Sequence, residues 1–250
     1  MTAIPPIQFS STVASTNDLA LEAAAEGAPH GSCWAADEQT SGRGRREIGG
    51  TRRDWFSPKR SNIYMSVLLR PDLEPSKAAG LTLAAATGIC STLRFVTGLH
   101  VWVKWPNDLY FGDKKLGGLL TEAATEDGKL AGVIVGLGVN VNVEQDDVPD
   151  ELIDIMTSLQ IAGEQRYDRL ELLPAIRGTI LEYTDRYVAD GFAGILEDLR
   201  DFDRTEGRDV EILVDGEWIG GTARGISDDG RLRVETDDRV HLLQAGEVRF

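Results

Sequence analysis

Lysine is scarce in this chain: of 26 basic residues only 6 are lysine and 20 are arginine, against 41 acidic residues. Cysteine (2) and histidine (3) are scarcer still. Each shortage excludes something. Cys33 and Cys90 show no metal spacing, so they read as buried thiols in a reducing cytoplasm. His30, His100 and His241 are scattered, which gives little ground for a zinc enzyme or a Ser-His-Asp hydrolase. No apolar run reaches the roughly 20 residues that span a bilayer. Residues 1–8 have neither the charged nor the apolar region of a secretory signal. A phosphate-binding P-loop and an HExxH motif are also missing. With a net charge of -15, general nucleic-acid binding is disfavoured, because it depends on neutralising phosphates.

What is present supports a folded enzyme-sized chain. The 250 residues are 42% hydrophobic, enough for a substantial core, in one large domain or a large one with a small one. Ser15-Thr16-Asn17 precede an alanine-rich helix that stops at Gly27, with hydroxyl or amide capping at its start. Strands are expected at 32–38, 62–69, 101–104, 108–111, 116–123 and 130–143, and a long helix at 76–97. In that helix Gly80, Ala84, Ala85 and Gly88 make a thin face suited to packing on a sheet. Residues 147–202 read as helical, with an apolar stripe at Leu173, Ile176, Ile180, Tyr183 and Tyr187 and an awkward Pro174. Four closely spaced strands after 205 predict a small SH3-like β-barrel. The expected class is α+β: a mixed, mostly antiparallel central sheet with helices on one side. The division is a main domain over 1–204 and a barrel over 205–250 docked on it.

Four stretches carry chemistry. Ser41-Gly-Arg-Gly-Arg-Arg46 combines flexible glycine with always-charged guanidinium forks, a pairing suited to carboxylate and phosphate oxygens; a solvated loop has the same composition. Lys104, in Val101-Trp-Val-Lys-Trp-Pro106, leaves a half-buried strand next to a rigid turn. It either snorkels to solvent or meets an anion. The glycine pair in Lys115-Leu-Gly-Gly-Leu119 marks a bulge or a close approach of ligand to backbone. Asn140 and Asn142 end an apolar strand and need partners, from a ligand or from the next turn.

In order along the chain, Ser15-Thr16-Asn17, Gln39 with GRGRR at 42–46, Trp55-Phe-Ser-Pro58, Asn62-Ile-Tyr, KWPNDL at 104–109, KLGGLLTE at 115–122 and VGLGVNVN at 135–142 resemble the biotin–protein ligases. The resemblance covers essentially residues 10–250. It implies an enzyme that forms biotinyl-5′-AMP from biotin and ATP with magnesium and then transfers biotin to a lysine of a biotin carboxyl carrier domain. The form expected is the one without an N-terminal DNA-binding domain, compatible with a homodimer, while the composition points to a cytoplasmic protein that binds neither nucleic acid nor membrane. By the resemblance, Ser15, Thr16, Asn17 and Gln39 contact biotin, and Arg43, Gly44 and Arg45 cover biotin and the adenylate phosphate. Lys104 meets the carboxylate or acyl phosphate; Arg45 and Lys104 are the catalytic pair. Gly117, Gly118, Asn140 and Trp55 are further candidates, and the metal ligands are unassigned.

The sequence departs from the family pattern between Arg46 and Trp55, where eight residues replace a shorter link. Arg52 and Arg53 lie in that longer loop and compete with Arg43 and Arg45 for phosphate. The segment is expected to act as a lid ordered by the adenylate. Two rivals stand beside this reading: a lipoate–protein ligase, and a non-catalytic RNA binder using GRGRR as a basic tract. The acid excess is spread along the chain and suits a cytoplasm of high salt, because at about 1 M salt the Debye length is only ~3 Å and self-repulsion is screened. The unfolding midpoint is therefore expected to rise as KCl is taken from millimolar to molar, read by circular dichroism.

Overall fold

The computed structural model describes residues 4–46, 52–126, 129–214 and 216–250. The expected turn at Asp127-Gly128, the Asp215 position of another, and residues 47–51 of the expected lid lie outside the described residues. The first half runs β1 (Ile7–Ser10), α1 (Thr16–Ala25), β2 (Cys33–Ala36), β3 (Arg43–Arg46), β4 (Arg52–Asp54) and β5 (Ile63–Leu69). Next come α2 (Gly80–Thr97), β6 (Trp102–Lys104), β7 (Asp108–Phe111), β8 (Lys114–Glu126) and β9 (Lys129–Val139). Three helices follow: α3 (Leu159–Gly163), α4 (Arg169–Asp190) and α5 (Leu196–Phe202). The chain ends in β10 (Asp209–Val214), β11 (Glu217–Ile226), β12 (Leu232–Glu235), β13 (Val240–Leu243) and β14 (Val248–Arg249).

Seven strands form the main sheet in the order β1-β2-β5-β9-β8-β7-β6. Only β1–β2 is parallel, so the sheet is mixed and mostly antiparallel, as expected. Side chains alternate across a strand, and β5 is buried along its whole length. Ile63, Met65, Val67 and Leu69 enter the large core with Val133, Val135, Leu137 and Val139 of β9. Leu68 and Ile134 face the other way and pack with Ala20 and Ala24 of α1. The long helices α2 and α4 thus lie on one side, and α1 is an addition on the other. That placement follows from its small residues, which let it sit close on the sheet beside the open part of that face.

Several local expectations are corrected. No side-chain cap forms at Ser15; the Gln39 amide oxygen, 23 residues on, accepts from the Thr16 N–H at 2.9 Å. The thin face of α2 meets α4, not the sheet: a Cβ on Gly80 would run into the Tyr187 ring, and one on Gly88 would come within 2.6 Å of the Thr179 carbonyl. Residues 147–202 are not one helical run. Short 3₁₀ turns at Gln145–Asp147 and Asp150–Leu152 precede α3, and α4 begins only where Asp168 accepts from the Leu170 and Glu171 amides. Pro174 does not break α4. The donor it lacks would have met Leu170, which is exposed, so water can serve that carbonyl.

The stripe Leu173, Ile176, Ile180, Tyr183, Tyr187 is buried throughout. The C-terminal strands form a five-stranded antiparallel sheet in the order β13-β12-β11-β10-β14. Val210, Ile212, Ala223, Ile226, Leu232 and Val234 from it join the main core without a break, and Trp105 Nε1 donates to the Gly230 carbonyl at 3.1 Å. At the α2–α4 crossing, Gly88→Ala is expected to destabilise the protein by about 1–3 kcal/mol, because the backbone of α4 must retreat; chemical denaturation measures it.

Candidate active site

On the α1 side of the sheet, the residues that should project a side chain are glycines. Gly118 of β8 lies opposite Gly138 of β9, and Gly136 lies opposite Leu120. The floor so formed underlies a cavity of about 590 Å³. Its glycines are not idle space: a Cβ on Gly136 would strike the Asn17 amide, and one on Gly138 would come within 2.5 Å of the Trp55 indole nitrogen. Asn17 and Trp55 therefore lie flat on bare backbone. The meaning of Gly136-Leu-Gly138, unread in the sequence, is this pair of close approaches.

One end of the cavity is polar. The Gln39 oxygen accepts from the Thr16 amide at 2.9 Å and from its hydroxyl at 3.2 Å. Ser66, buried on β5, lies 2.8 Å from the Thr16 hydroxyl and donates to Asn17 Oδ1 at 2.6 Å. Asn17 Nδ2 donates to Glu122 Oε2 at 2.7 Å. Arg43 donates to the Asp18 carboxylate at 2.9 Å, and the bond to Asp18 holds its pKa up. Its Nη nitrogens are thus already engaged, and its Nε is buried without a partner.

The neighbouring wall is cationic. Lys104 lies 3.3 Å from the Tyr110 hydroxyl and over the Tyr110 and Phe250 rings, at 5.0 and 4.5 Å. Burial pushes its pKa down to about 8; Asp108 works against that, and the charges of Lys115, Arg45 and Arg208 add to it. Burial, with help from Asp108, pushes Tyr110 up to about 12. Lys115 pairs with Asp108 at 2.8 Å and sits 5.4 Å from the Trp55 ring. Gly118 leaves the room for that pair, since a Cβ there would be 3.2 Å from Asp108 Oδ1. Arg45 is exposed and donates to the Gly246 carbonyl at 3.2 Å, joining the β3–β4 hairpin to the C-terminal sheet. Trp55 Nε1 and Asn107 Oδ1 are buried beside the cavity with no partner, which leaves a donor and an acceptor for a ligand.

Ser15, Thr16, Asn17, Gln39, Arg43, Gly44, Arg45, Trp55, Lys104, Gly118 and Asn140 all line this one cavity. Gly117 does not: its missing Cβ points at the Gly138 carbonyl and Leu109, within the sheet. Asn140 reaches the wall, but its amide is spent on structure, accepting from Asn62 at 3.1 Å and donating to the Thr157 carbonyl at 3.0 Å. Asn142 likewise bonds both backbone groups of Tyr167. The arginine-rich segment is a two-stranded hairpin where described, with Arg43 paired to Asp54; the side chains of Arg46, Arg52 and Arg53 fall outside the description. Sequence reasoning missed Tyr110, Asp108, Asn107 and the stretch Glu247–Phe250 that closes the rim. Only Asp108 and Asn107 had a signal, their place after Lys104-Trp-Pro. Among the described residues no three His, Cys, Asp or Glu side chains gather to hold a metal.

Residues 9–140 match the model of the biotin/lipoate A/B protein ligase family, and residues 205–250 match that of the biotin protein ligase C terminal domain. The chain is 34% identical over 242 residues to the bifunctional ligase/repressor BirA of Bacillus spizizenii, covering 97% of this chain and 73% of that protein. It is 33% identical over 244 residues to the biotin–[acetyl-CoA-carboxylase] ligase of Mycobacterium tuberculosis, covering 94% and 85%. In structure it resembles the biotin protein ligase of Aquifex aeolicus in complex with biotin and ATP, with a TM-score of 0.81, 27% identity and 97% of each chain covered. Motifs, cavity and relatives agree: the chain belongs to the biotin/lipoate A/B protein ligase family and is an enzyme of its biotin–protein ligase branch.

Proposed function

We propose that this enzyme joins biotin to ATP, forming biotinyl-5′-AMP and pyrophosphate, and then transfers the biotinyl group to a lysine of a biotin carboxyl carrier domain of a carboxylase. The observation that carries the reading is the cavity's division into a polar end, where Arg43 is paired with carboxylates of the protein, and a wall with two lysines. The ureido ring of biotin has one acceptor and two donors, which suits Ser15, Thr16 and Gln39; a dithiolane, as in lipoate, offers no such groups. In the first step a carboxylate oxygen attacks the α-phosphorus and the bond to the β-phosphate oxygen breaks. Two anions must be brought in line, so positive charge and positioning are what the protein has to supply. Lys104 and Lys115 supply the charge from the wall and Arg45 from the hairpin. In the second step the carrier amine attacks the acyl carbon and AMP leaves.

Magnesium keeps most of its water and is commonly held by one or two carboxylates plus substrate phosphates. Asp54, Asp113 and Asp154 are on the cavity wall, and among the described residues no three acidic, histidine or cysteine side chains gather, so one or two of these carboxylates would hold the ion together with substrate phosphate. Its contribution there is to offset the charge of the departing pyrophosphate.

Mass spectrometry of a carrier domain incubated with enzyme, biotin, ATP and magnesium tests the whole reading. A biotin-sized mass gain that needs all four is expected, and a gain with lipoate instead would overturn it. Lys104→Ala and Arg45→Ala are each expected to slow pyrophosphate release by at least ~10²-fold, the cost of one preorganised charge. Lys104 should also cost the empty enzyme stability. Its folded pKa of about 8 lies below the ordinary lysine value, so between those two values the unfolded chain holds the extra proton and stability rises with pH. Lys104→Met is therefore expected to raise stability at pH 7 by ~1–2 kcal/mol, less than the full shift because ring contacts are lost. That gain should fade as the pH rises from about 8 to the ordinary lysine value and be gone above it, measured by urea unfolding across pH.

A further inference from the structure

A small charge network at the polar end is not used by either chemical step. Arg43 turns from β3 toward α1, where its fork meets both oxygens of Asp18, and Nη2 also lies 3.5 Å from Glu122 Oε2. The arginine side chain is only 14% exposed, so the geometry is held, unlike that of a mobile surface pair. The same Glu122 oxygen accepts from Asn17 Nδ2. Asn17 has little other freedom, since Ser66 donates to its oxygen and the backbone of Gly136 lies against its amide. One carboxylate on β8 thereby joins the start of α1 to the first strand of the hairpin. Its partners, Asn17 and Arg43, both line the cavity.

We propose that Asp18 and Glu122 are positioning residues that latch β3 to α1, so that Gly44 and Arg45 stay across the cavity and Asn17 keeps its orientation. On this view Arg43 is the bolt of the latch, and phosphate is met by Lys104, Lys115 and Arg45. The inference rests on the proposed adenylate-forming function for its effect on catalysis, though the latch itself is a matter of geometry. A bidentate arginine–carboxylate pair has two parallel bonds that a lysine cannot reproduce. Retention of ligand, more than chemistry, should depend on it.

Asp18→Asn and Glu122→Gln keep shape and remove charge. In each, the KM for biotin and the release rate of labelled biotinyl-adenylate are expected to rise about tenfold or more, while single-turnover pyrophosphate formation at saturating substrates stays within about threefold. Amide hydrogen exchange over Gly42–Arg45, with no ligand added, should quicken in both. Arg43→Lys should lose adenylate retention as the carboxylate variants do; wild-type retention in it would overturn the latch. So would unchanged exchange and release in Asp18→Asn and Glu122→Gln, or a hundredfold loss of the chemical step with retention intact, as read against the same threefold bound. Thermal unfolding midpoints near wild type separate these effects from misfolding. If the wild type forms no adenylate at all, the proposed function falls, and hydrogen exchange still decides the latch.

Discussion

The structure depends on a patch of sheet without side chains. Gly118, Gly136 and Gly138 leave bare backbone where a β-strand would normally present three residues to the α1 side. Glycine weakens a strand, and this sheet tolerates three because the other face of β9 is filled by Val133, Val135, Leu137 and Val139 in the main core. Stability comes from one face and room for a ligand from the other. Trp55 and Asn17 then use part of that room, lying closer to the backbone than any Cβ would allow.

The second constraint is charge. Burying an ammonium is unfavourable unless something compensates, and Lys104 has only a phenol, two aromatic faces and a nearby carboxylate for that purpose. Such a lysine is poorly satisfied until an anion arrives, which is the state a charge-binding site should be in before reaction. Arg43 is the opposite case. Its Nη charge is met by Asp18 and Glu122 within the protein, so it holds structure and has its Nε left for a substrate. Two cations in the same cavity thus have different work, set by their neighbours.

Much of the fold was legible because its signals are local. Period-two and period-three-to-four patterns located the strands and the stripe of α4, and the turns after 205 announced a small barrel of four strands, to which the structure adds β14 as a fifth. What failed locally did so for a tertiary reason. Ser15 stands at the N-cap of α1 without a side-chain cap bond, and it is Gln39, brought alongside by β2, that meets the Thr16 amide. Pro174 sits inside α4 because the carbonyl it deprives is next to an exposed residue. Gly80 and Gly88 look equally suited to a sheet or a helix, and only the position of α4 chooses between them.

The order of motifs in the sequence was enough to determine the family and to name eleven residues of the cavity's lining, because residue types at fixed spacing survive without any knowledge of the fold. The partners of those residues were decided by tertiary structure alone. Glu122 lies 105 positions from Asn17, and Gly246 lies 201 from Arg45, separations at which no pattern in the chain predicts contact. Hence the arginines of Gly42–Arg46, equivalent in sequence, part company in space: Arg43 turns in to two carboxylates and Arg45 reaches over the rim to the C-terminal sheet. Two residues apart on a regular strand, they would share one side; the β3–β4 register shifts between Arg43 and Arg46, and what each of them meets comes from elsewhere in the chain.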